Sequence, residues 1–131
     1  MRSKLSEDEV IDAIKKWIKT QHPELSFYRS WTFDIIAGPS EMCPGLLVEC
    51  KGNPSQRFKA QRAIGQCLEY TAFLGVMNTP CFIAIPENFA YKDLILQTLK
   101  DHKLPIGLLV VGDKGEVKVL RKWSRKKEKK K

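Results

Sequence analysis

One apolar segment, LLVECK at residues 46–51, contains an acid and a base two positions apart. If the segment is a β-strand, alternation places Glu49 and Lys51 on the same face together with Leu47, and Cys50 on the opposite face. Burying two charges among apolar neighbours is costly unless they pair with each other or serve a metal ion. The alternative is a surface ion pair on an edge strand, which the apolar flanks of the segment argue against.

A second carboxylate lies fifteen residues earlier, at Asp34 in the apolar stretch FDIIAG. The turn-rich segment GPSEMCPG separates the two stretches, so they are expected to pair as a hairpin that brings Asp34 beside Glu49. Two converging carboxylates are what a hard divalent cation such as Mg²⁺ requires. A lysine next to them, Lys51, can hold a nucleophilic water or stabilise the charge that develops on a phosphorane.

A third acid, Glu7, lies at the start of a predicted helix over residues 6–20, with Ser6 as its N-cap. Glu7 shares the apolar stripe that continues through Val10 and Ile14, so its side chain can point towards the sheet and add a metal ligand. The alternative is an acid that stabilises the first turn through the helix dipole. The residues alone leave both interpretations open.

The segment between Cys50 and Cys67 carries four basic residues and no acid. It contains a predicted helix over residues 57–75, on which Arg62, Gln66 and Tyr70 form a polar stripe opposite an apolar side. A run of basic residues is usually a solvated face, but here it directly follows the predicted metal strand and could neutralise phosphates. The basic residues of this segment are Lys51, Arg57, Lys59 and Arg62.

The elements that position these residues alternate between helices and strands. The pattern predicts a single α/β domain with a mixed central β-sheet flanked by helices, in the order α-β-β-β-α-β-α-β-β. Its third helix is expected to begin with Asn88 as N-cap, and its last two strands to form a hairpin. The predicted strands cover residues 26–30, 32–37, 46–51, 81–86, 107–112 and 117–120, and the helices cover 6–20, 57–75 and 88–102.

The charge of the chain is concentrated at its end. The 131 residues carry a net charge of +8, of which +7 belongs to the last eleven residues, RKWSRKKEKKK. We therefore predict a nearly neutral domain over residues 1–120 and a disordered basic tail over 121–131 that adds salt-sensitive affinity for nucleic acid. No apolar run is long enough to span a bilayer, and no signal peptide is evident. A cytoplasmic protein with reduced, buried cysteines and no membrane partner is expected.

Taken together, FDIIAG, LLVECKG and QRAIGQCLEY resemble the motifs of the PD-(D/E)xK nuclease superfamily, whose fold is restriction-endonuclease-like. The resemblance covers residues 6–86 and is similar in layout to archaeal Holliday-junction resolvases and related small endonucleases. Phe33 stands where proline often precedes the aspartate. Residues 88–120 extend beyond the part that small resolvases share.

The resemblance implies a Mg²⁺-dependent DNA endonuclease, with Mn²⁺ as a substitute. Asp34, Glu49 and the backbone carbonyl of Cys50 would bind metal, Glu7 would add a ligand or hold its water, and Lys51 would orient the attacking water. Gln66 and Tyr70 would line the site and contact DNA, and Arg29 matches a DNA-contacting position loosely. A homodimer would give such a nuclease two active sites. The rival hypothesis is a non-catalytic nucleic-acid-binding or assembly subunit with the same fold.

Overall fold

The fold was analysed in a computed structural model, which describes residues 5–28, 33–39, 45–53, 57–74 and 79–123, without the side chains of Arg57 and residues 70–74. Six strands form one sheet in the sequential order β1 to β6. The bounds of the helices are α1 Glu7–Gln21, α2 Arg57–Leu74 and α3 Lys92–Asp101. The bounds of the strands are β1 Ser26–Tyr28, β2 Ile35–Gly38, β3 Leu46–Cys50, β4 Cys81–Pro86, β5 Gly107–Val111 and β6 Val117–Arg121.

The sheet is mixed, as the sequence predicts. Strands β3, β4 and β5 are parallel and are connected through α2 and α3, whereas β1, β2 and β6 pair antiparallel with their neighbours. Parallel neighbours require such crossover connections, and both helices lie on the same face of the sheet. The fold class is therefore confirmed as a single α/β domain with a six-stranded mixed sheet and three helices.

Two apolar cores lie on opposite faces of the sheet. One core is built on α1, where Val10, Ile14 and Ile18 pack against Val48 and other residues of the strands. The other core is built on α2 and α3, and it takes in Leu47 of β3. The predicted alternation of the LLVECK segment is thus confirmed for these residues, because Leu47 and Val48 face opposite layers.

Helix α1 begins where its sequence predicts. Ser6 is the N-cap, its hydroxyl accepts the N–H of Glu9 at 3.2 Å, and the Glu9 carboxylate accepts the N–H of Ser6 at 2.8 Å. This reciprocal capping box satisfies two N–H groups that the first helical turn leaves unpaired. The local capping signal therefore determines the position of Glu7, the first residue of the helix.

Three boundary predictions are wrong. Asp34 lies one residue before β2 and not inside a strand. Asn88 does not cap α3, which starts at Lys92 with Tyr91 as N-cap; the Asn88 side chain instead accepts a hydrogen bond from Asn53. Arg121, assigned above to the tail, ends β6 and donates to the carbonyls of residues 99, 104 and 106. Residues 124–131 lie outside the described part.

The cysteines behave as predicted where they are described. Cys50, Cys67 and Cys81 are buried and are not in disulfide bonds, while Cys43 lies outside the described residues. Burial raises the pKa of Cys50, and a hydrogen bond with Cys81 raises the pKa of Cys67, so neither thiol tends to ionise. In the described part of the chain, none of the helices is long and apolar enough to cross a membrane.

Candidate active site

The first two predicted site residues meet where β2 begins and β3 ends. Ile35 pairs with Val48, so one further step of the antiparallel register brings Asp34 level with Glu49. The Asp34 carboxylate accepts the backbone N–H of Cys50 at 2.7 Å. This bond attaches the carboxylate to the end of the neighbouring strand, although Asp34 itself is outside β2. The predicted proximity of Asp34 to Glu49 is therefore supported by the register and by this contact.

Among the described residues, Glu49 is the one charged residue that is buried. Only 6% of its surface is exposed. Its carboxylate lies 3.4 Å from the ammonium of Lys51, the residue that follows β3. The pKa of Glu49 is raised to about 7, first by burial and then by the charge of the nearby Asp34 carboxylate, whereas Lys51 opposes the shift. A carboxyl group with this pKa is partly protonated near neutral pH, unlike an ordinary glutamate.

Glu7 approaches the same site from the other layer, because α1 begins beside the loop that follows β3. The N–H of Asn53 donates to the carbonyl of Leu5 at 2.7 Å. A Cβ on Gly52 would come within 3.0 Å of the backbone of Ser6 and Glu7. The helix can therefore start this close to β3 because residue 52 has no side chain.

The Glu7 carboxyl group is electrostatically coupled to the other acids. Although the residue keeps much of its surface in solvent, partial burial raises its pKa, and the Asp34 charge raises it further. Lys51 and Lys59 act in the opposite direction. The pKa of Asp34 is also raised, chiefly by burial, against the lowering effect of the Cys50 hydrogen bond and Lys51. Three carboxyl groups thus resist full ionisation at one place.

This donor set can be tested for its fit to a metal ion. In the described ranges, no group of three or more His, Cys, Asp and Glu side chains is arranged to hold one. Mg²⁺, however, commonly keeps several waters and binds through one or two carboxylates plus substrate phosphates. Asp34 and Glu49 supply two such carboxylates, and a bound cation would stabilise their ionised forms, whose pKa values are raised chiefly by burial. The predictions that Glu7 and the Cys50 carbonyl are ligands remain predictions.

The predicted DNA-contacting residues of helix α2 differ in their exposure to solvent. Lys59 and Arg62 are exposed, and Lys59 is close enough to Glu7 to lower its pKa. Gln66 is half-buried, and its Oε1 atom is buried with no hydrogen-bond partner in the described part of the structure. Such an unpaired buried oxygen is unusual among polar side chains in folded proteins.

Three predicted residues cannot be placed at the site. Arg29 lies outside the described residues, and the same holds for the side chains of Arg57 and Tyr70, whose backbones belong to α2. Their predicted contacts with DNA remain predictions. The spacing of Arg62, Gln66 and Tyr70 on one helix is confirmed, as is burial of the apolar side at Ala60, Ala63, Ile64 and Cys67.

Sequence reasoning missed three features near the site. Gly52 gave a usable signal, since a glycine directly after a charged strand end often marks a close backbone approach. Phe58, 55% exposed at the start of α2, stands beside Lys59 and offers an aromatic surface. The amide of Asn53 donates to Asn88 at 2.8 Å and ties the loop after β3 to the turn after β4. No local sequence pattern predicts the contact between Asn53 and Asn88.

The fold and site define an α/β domain with a carboxylate–lysine cluster at the end of its third strand. Comparison with known protein families, curated proteins and solved structures finds no match for this chain. The chemistry of the cluster and the resemblance of its motifs are therefore what indicate a function.

Proposed function

We propose that this protein is a metal-dependent DNA endonuclease that hydrolyses phosphodiester bonds with Mg²⁺, or Mn²⁺ in its place. The observation that carries the proposal is the convergence of Asp34, Glu49 and Lys51. The Asp34 carboxylate is held 2.7 Å from the Cys50 N–H, and the Glu49 carboxylate lies 3.4 Å from the Lys51 ammonium. Two carboxylates and one ammonium on adjacent strand ends match the requirements of phosphoryl transfer, which needs metal binding and neutralisation of developing charge.

Each side chain has a separate role in this mechanism. Asp34 and Glu49 would hold the cation, which when bound supplies Lewis acidity and lowers the pKa of water. The Lys51 ammonium would then orient the attacking water and stabilise the negative charge that builds up on the phosphate oxygens. Lys51 pairs with Glu49 in this structure, so its release towards substrate depends on Glu49 finding another positive partner.

The substrate would lie along the start of α2. Lys59 and Arg62 are exposed there, and phosphate contacts by such residues fix the position of DNA without reading its sequence. Phe58 offers its exposed ring to an unpaired base beside these residues. This arrangement favours a structure-specific substrate, such as a junction, a flap or a single strand, because phosphate contacts and base stacking do not read the base sequence.

One observation favours the second candidate, a nucleic-acid-binding or assembly subunit without catalysis. The Glu49–Lys51 ion pair already satisfies both partners, and the described residues contain no metal group of three ligands. A buried pair of this kind can be retained for structure alone. The two functions differ in what happens to DNA when Lys51 is removed.

The decisive experiment incubates the protein with plasmid, single-stranded, flap and four-way-junction DNA in Mg²⁺, Mn²⁺ or EDTA. We expect cutting of at least one substrate with metal and none with EDTA. Lys51→Ala should reduce the rate at least 100-fold, about 3 kcal/mol of transition-state stabilisation, with binding changed only a few-fold. Lys100→Ala, an exposed lysine of α3, is the matched control and should cut normally.

Two results would contradict the nuclease. One is the absence of metal-dependent cutting of every substrate by correctly folded protein. The other is equal cutting by Lys51→Ala and wild type, which would place the activity elsewhere. Tight DNA binding that survives Lys51→Ala, in a protein that never cuts, would establish the non-catalytic function instead.

A further inference from the structure

The loop that follows β3 is hydrogen-bonded to three other segments of the chain. The N–H of Lys51 donates to the carbonyl of Ala84 at 3.0 Å and continues the β3–β4 ladder past the end of β3. The N–H of Asn53 donates to the carbonyl of Leu5 at 2.7 Å, just before the N-cap of α1. The side-chain amide of Asn53 donates to the Asn88 side chain at 2.8 Å, in the turn after β4. Asn53 therefore links the start of α1 to the turn after β4.

The side chain of Asn53 does more than its place in a turn requires. An asparagine directly after a glycine is typical of a turn, in which its side chain bonds the backbone of neighbouring residues. Among the described residues, however, the Asn53 side chain bonds a side chain thirty-five positions later. Asn53 and Asn88 are both half-buried, so water competes less for this bond than it would at an exposed place. The turn explains the residue type at position 53 but not its contact with Asn88.

The contacts of this loop attach the first turn of α1 to the end of β3. The capping box of Ser6 shapes that turn, but it is local to the helix and does not join the helix to the sheet. The bond from Asn53 to Leu5 makes such a join. Gly52 adds a second contact, because it packs directly against the backbone of Ser6 and Glu7. Loss of the Asn53 side-chain bond would free residue 53 and loosen the turn that carries Glu7.

We infer that Asn53 is a positioning residue of the candidate site. Through its bond to Asn88, it holds the first turn of α1 beside the end of β3. Those two segments carry Glu7 and Lys51, so Asn53 acts through them and touches no substrate itself. A displacement of about 1 Å can cost about 100-fold in rate, so one hydrogen bond that fixes these segments matters to the chemistry. The effect on cutting rests on the proposed function, whereas the effect on the position of α1 does not.

The bond can be removed and restored at Asn88, which is far along the chain from the loop that it holds. Asn88→Ala removes the acceptor. Asn88→Asp has nearly the same shape and keeps an oxygen that accepts from Asn53, so it is the matched rescue variant. Asn53→Ala breaks the same bond, and the double variant Asn53→Ala/Asn88→Ala should be about as impaired as either single variant, because one bond is lost in all three. Effects that simply add would show that the two residues act independently and would contradict the inference.

Native-state hydrogen exchange in EDTA reports on the attachment of α1 without any cutting. In Asn88→Ala, we expect about ten-fold faster exchange of the amides of Asn53 and Val10, whose acceptors are the carbonyls of residues 5 and 6. Asn88→Asp should exchange like wild type. The amide of Gly112, which is hydrogen-bonded in the β5–β6 hairpin, is the internal control and should not change in either variant. Unchanged exchange at residues 10 and 53 in Asn88→Ala would overturn the inference.

Cutting assays test the consequence for the site, on a DNA substrate that the wild-type protein cuts. Asn88→Ala should lower kcat about ten-fold and raise the Mg²⁺ concentration for half-maximal rate about ten-fold, because a loosened first turn displaces Glu7, the predicted additional ligand. Asn88→Asp should stay within about two-fold of wild type in both. Arg121→Ala is the stability control, since it breaks hydrogen bonds to the carbonyls of residues 99, 104 and 106 at the opposite end of the parallel strands. It should leave the Mg²⁺ dependence unchanged.

The Mg²⁺ dependence separates positioning from a general loss of stability. A partly unfolded protein loses rate in proportion to its folded fraction but keeps the Mg²⁺ concentration at which that rate is half-maximal. A wild-type Mg²⁺ dependence in Asn88→Ala would therefore refute the role of Asn53 at the site, as would an Asn88→Asp variant as impaired as Asn88→Ala. A wild-type protein that cuts no DNA would contradict the nuclease, and the exchange experiment would still decide whether Asn53 holds α1 in place.

Discussion

The clearest physical test of the site is the charge of Glu49. Its pKa is raised from 4.5 to about 7 in the folded protein, mainly by burial. A carboxyl group with a raised folded pKa binds its proton more tightly in the folded than in the unfolded state. Stability should therefore be highest below about pH 4.5, fall as the pH rises towards 7, and level off above it.

The size of the effect follows from the shift. A difference of about 2.5 pKa units corresponds to about 3 kcal/mol, of which most is lost between pH 5 and pH 8. Glu49→Gln keeps the shape of the protonated side chain and removes the titration. In EDTA, we expect the variant to be more stable than wild type by about 2–3 kcal/mol at pH 8 and nearly equal to it at pH 4.5.

The assay is urea unfolding followed by circular dichroism at several pH values, with and without Mg²⁺. If Asp34 and Glu49 bind the cation, Mg²⁺ at 100 times its dissociation constant should stabilise wild type by about 2.7 kcal/mol and Glu49→Gln much less. Glu87→Gln is the matched control, because Glu87 is a half-exposed partner of Lys118 on the surface. A wild-type stability that stays flat from pH 5 to pH 8, or a Glu49→Gln variant less stable at pH 8, would refute the reasoning.

Two further predictions concern the close contact between the start of α1 and Gly52, and the basic tail at the C-terminal end of the chain. Gly52→Ala should destabilise the protein by about 1–3 kcal/mol in urea and slow cutting, because the added Cβ displaces the backbone that carries Glu7. Gly65→Ala, where nothing lies within 4 Å, should instead stabilise α2 by about 0.5–1 kcal/mol; equal effects would contradict the packing argument. Removal of residues 124–131 should weaken DNA binding and its salt dependence but leave cutting at low salt, and complete loss of cutting there would show that the tail is part of the site.

The elements with strong local signals could be predicted from the sequence. Strand β4 matches the predicted range of 81–86, because a short apolar run has few alternatives once it is bounded by turns. Ser6 and Glu9 determine the start of α1 through contacts three residues apart. The shared face of Glu49 and Lys51 is predicted from alternation along residues 46–51, and their contact at 3.4 Å agrees with it although Lys51 lies just after β3.

What could not be predicted depends on contacts between distant segments. Asn88 has the composition of an N-cap, but its side chain binds Asn53, thirty-five residues earlier, and α3 begins four residues later. Asp34 lies just before β2, and its carboxylate accepts the backbone N–H of Cys50, sixteen residues away. Tertiary hydrogen bonds of this kind override local propensity, and they concentrate around the carboxylate cluster.

The carboxyl groups of the cluster outnumber its lysines, and this excess of negative charge bears on what the candidate site does. Glu7, Asp34 and Glu49, when all ionised, lie near the ammonium groups of Lys51 and Lys59, so the carboxylates outnumber the ammonium groups at the end of β3. All three pKa values are raised, chiefly by burial, so the fold holds these groups together at a cost in stability when they are ionised. A structural ion pair would need only Glu49 and Lys51. The excess of negative charge is what a cation would neutralise, and this favours the proposed metal-dependent function over the purely structural one.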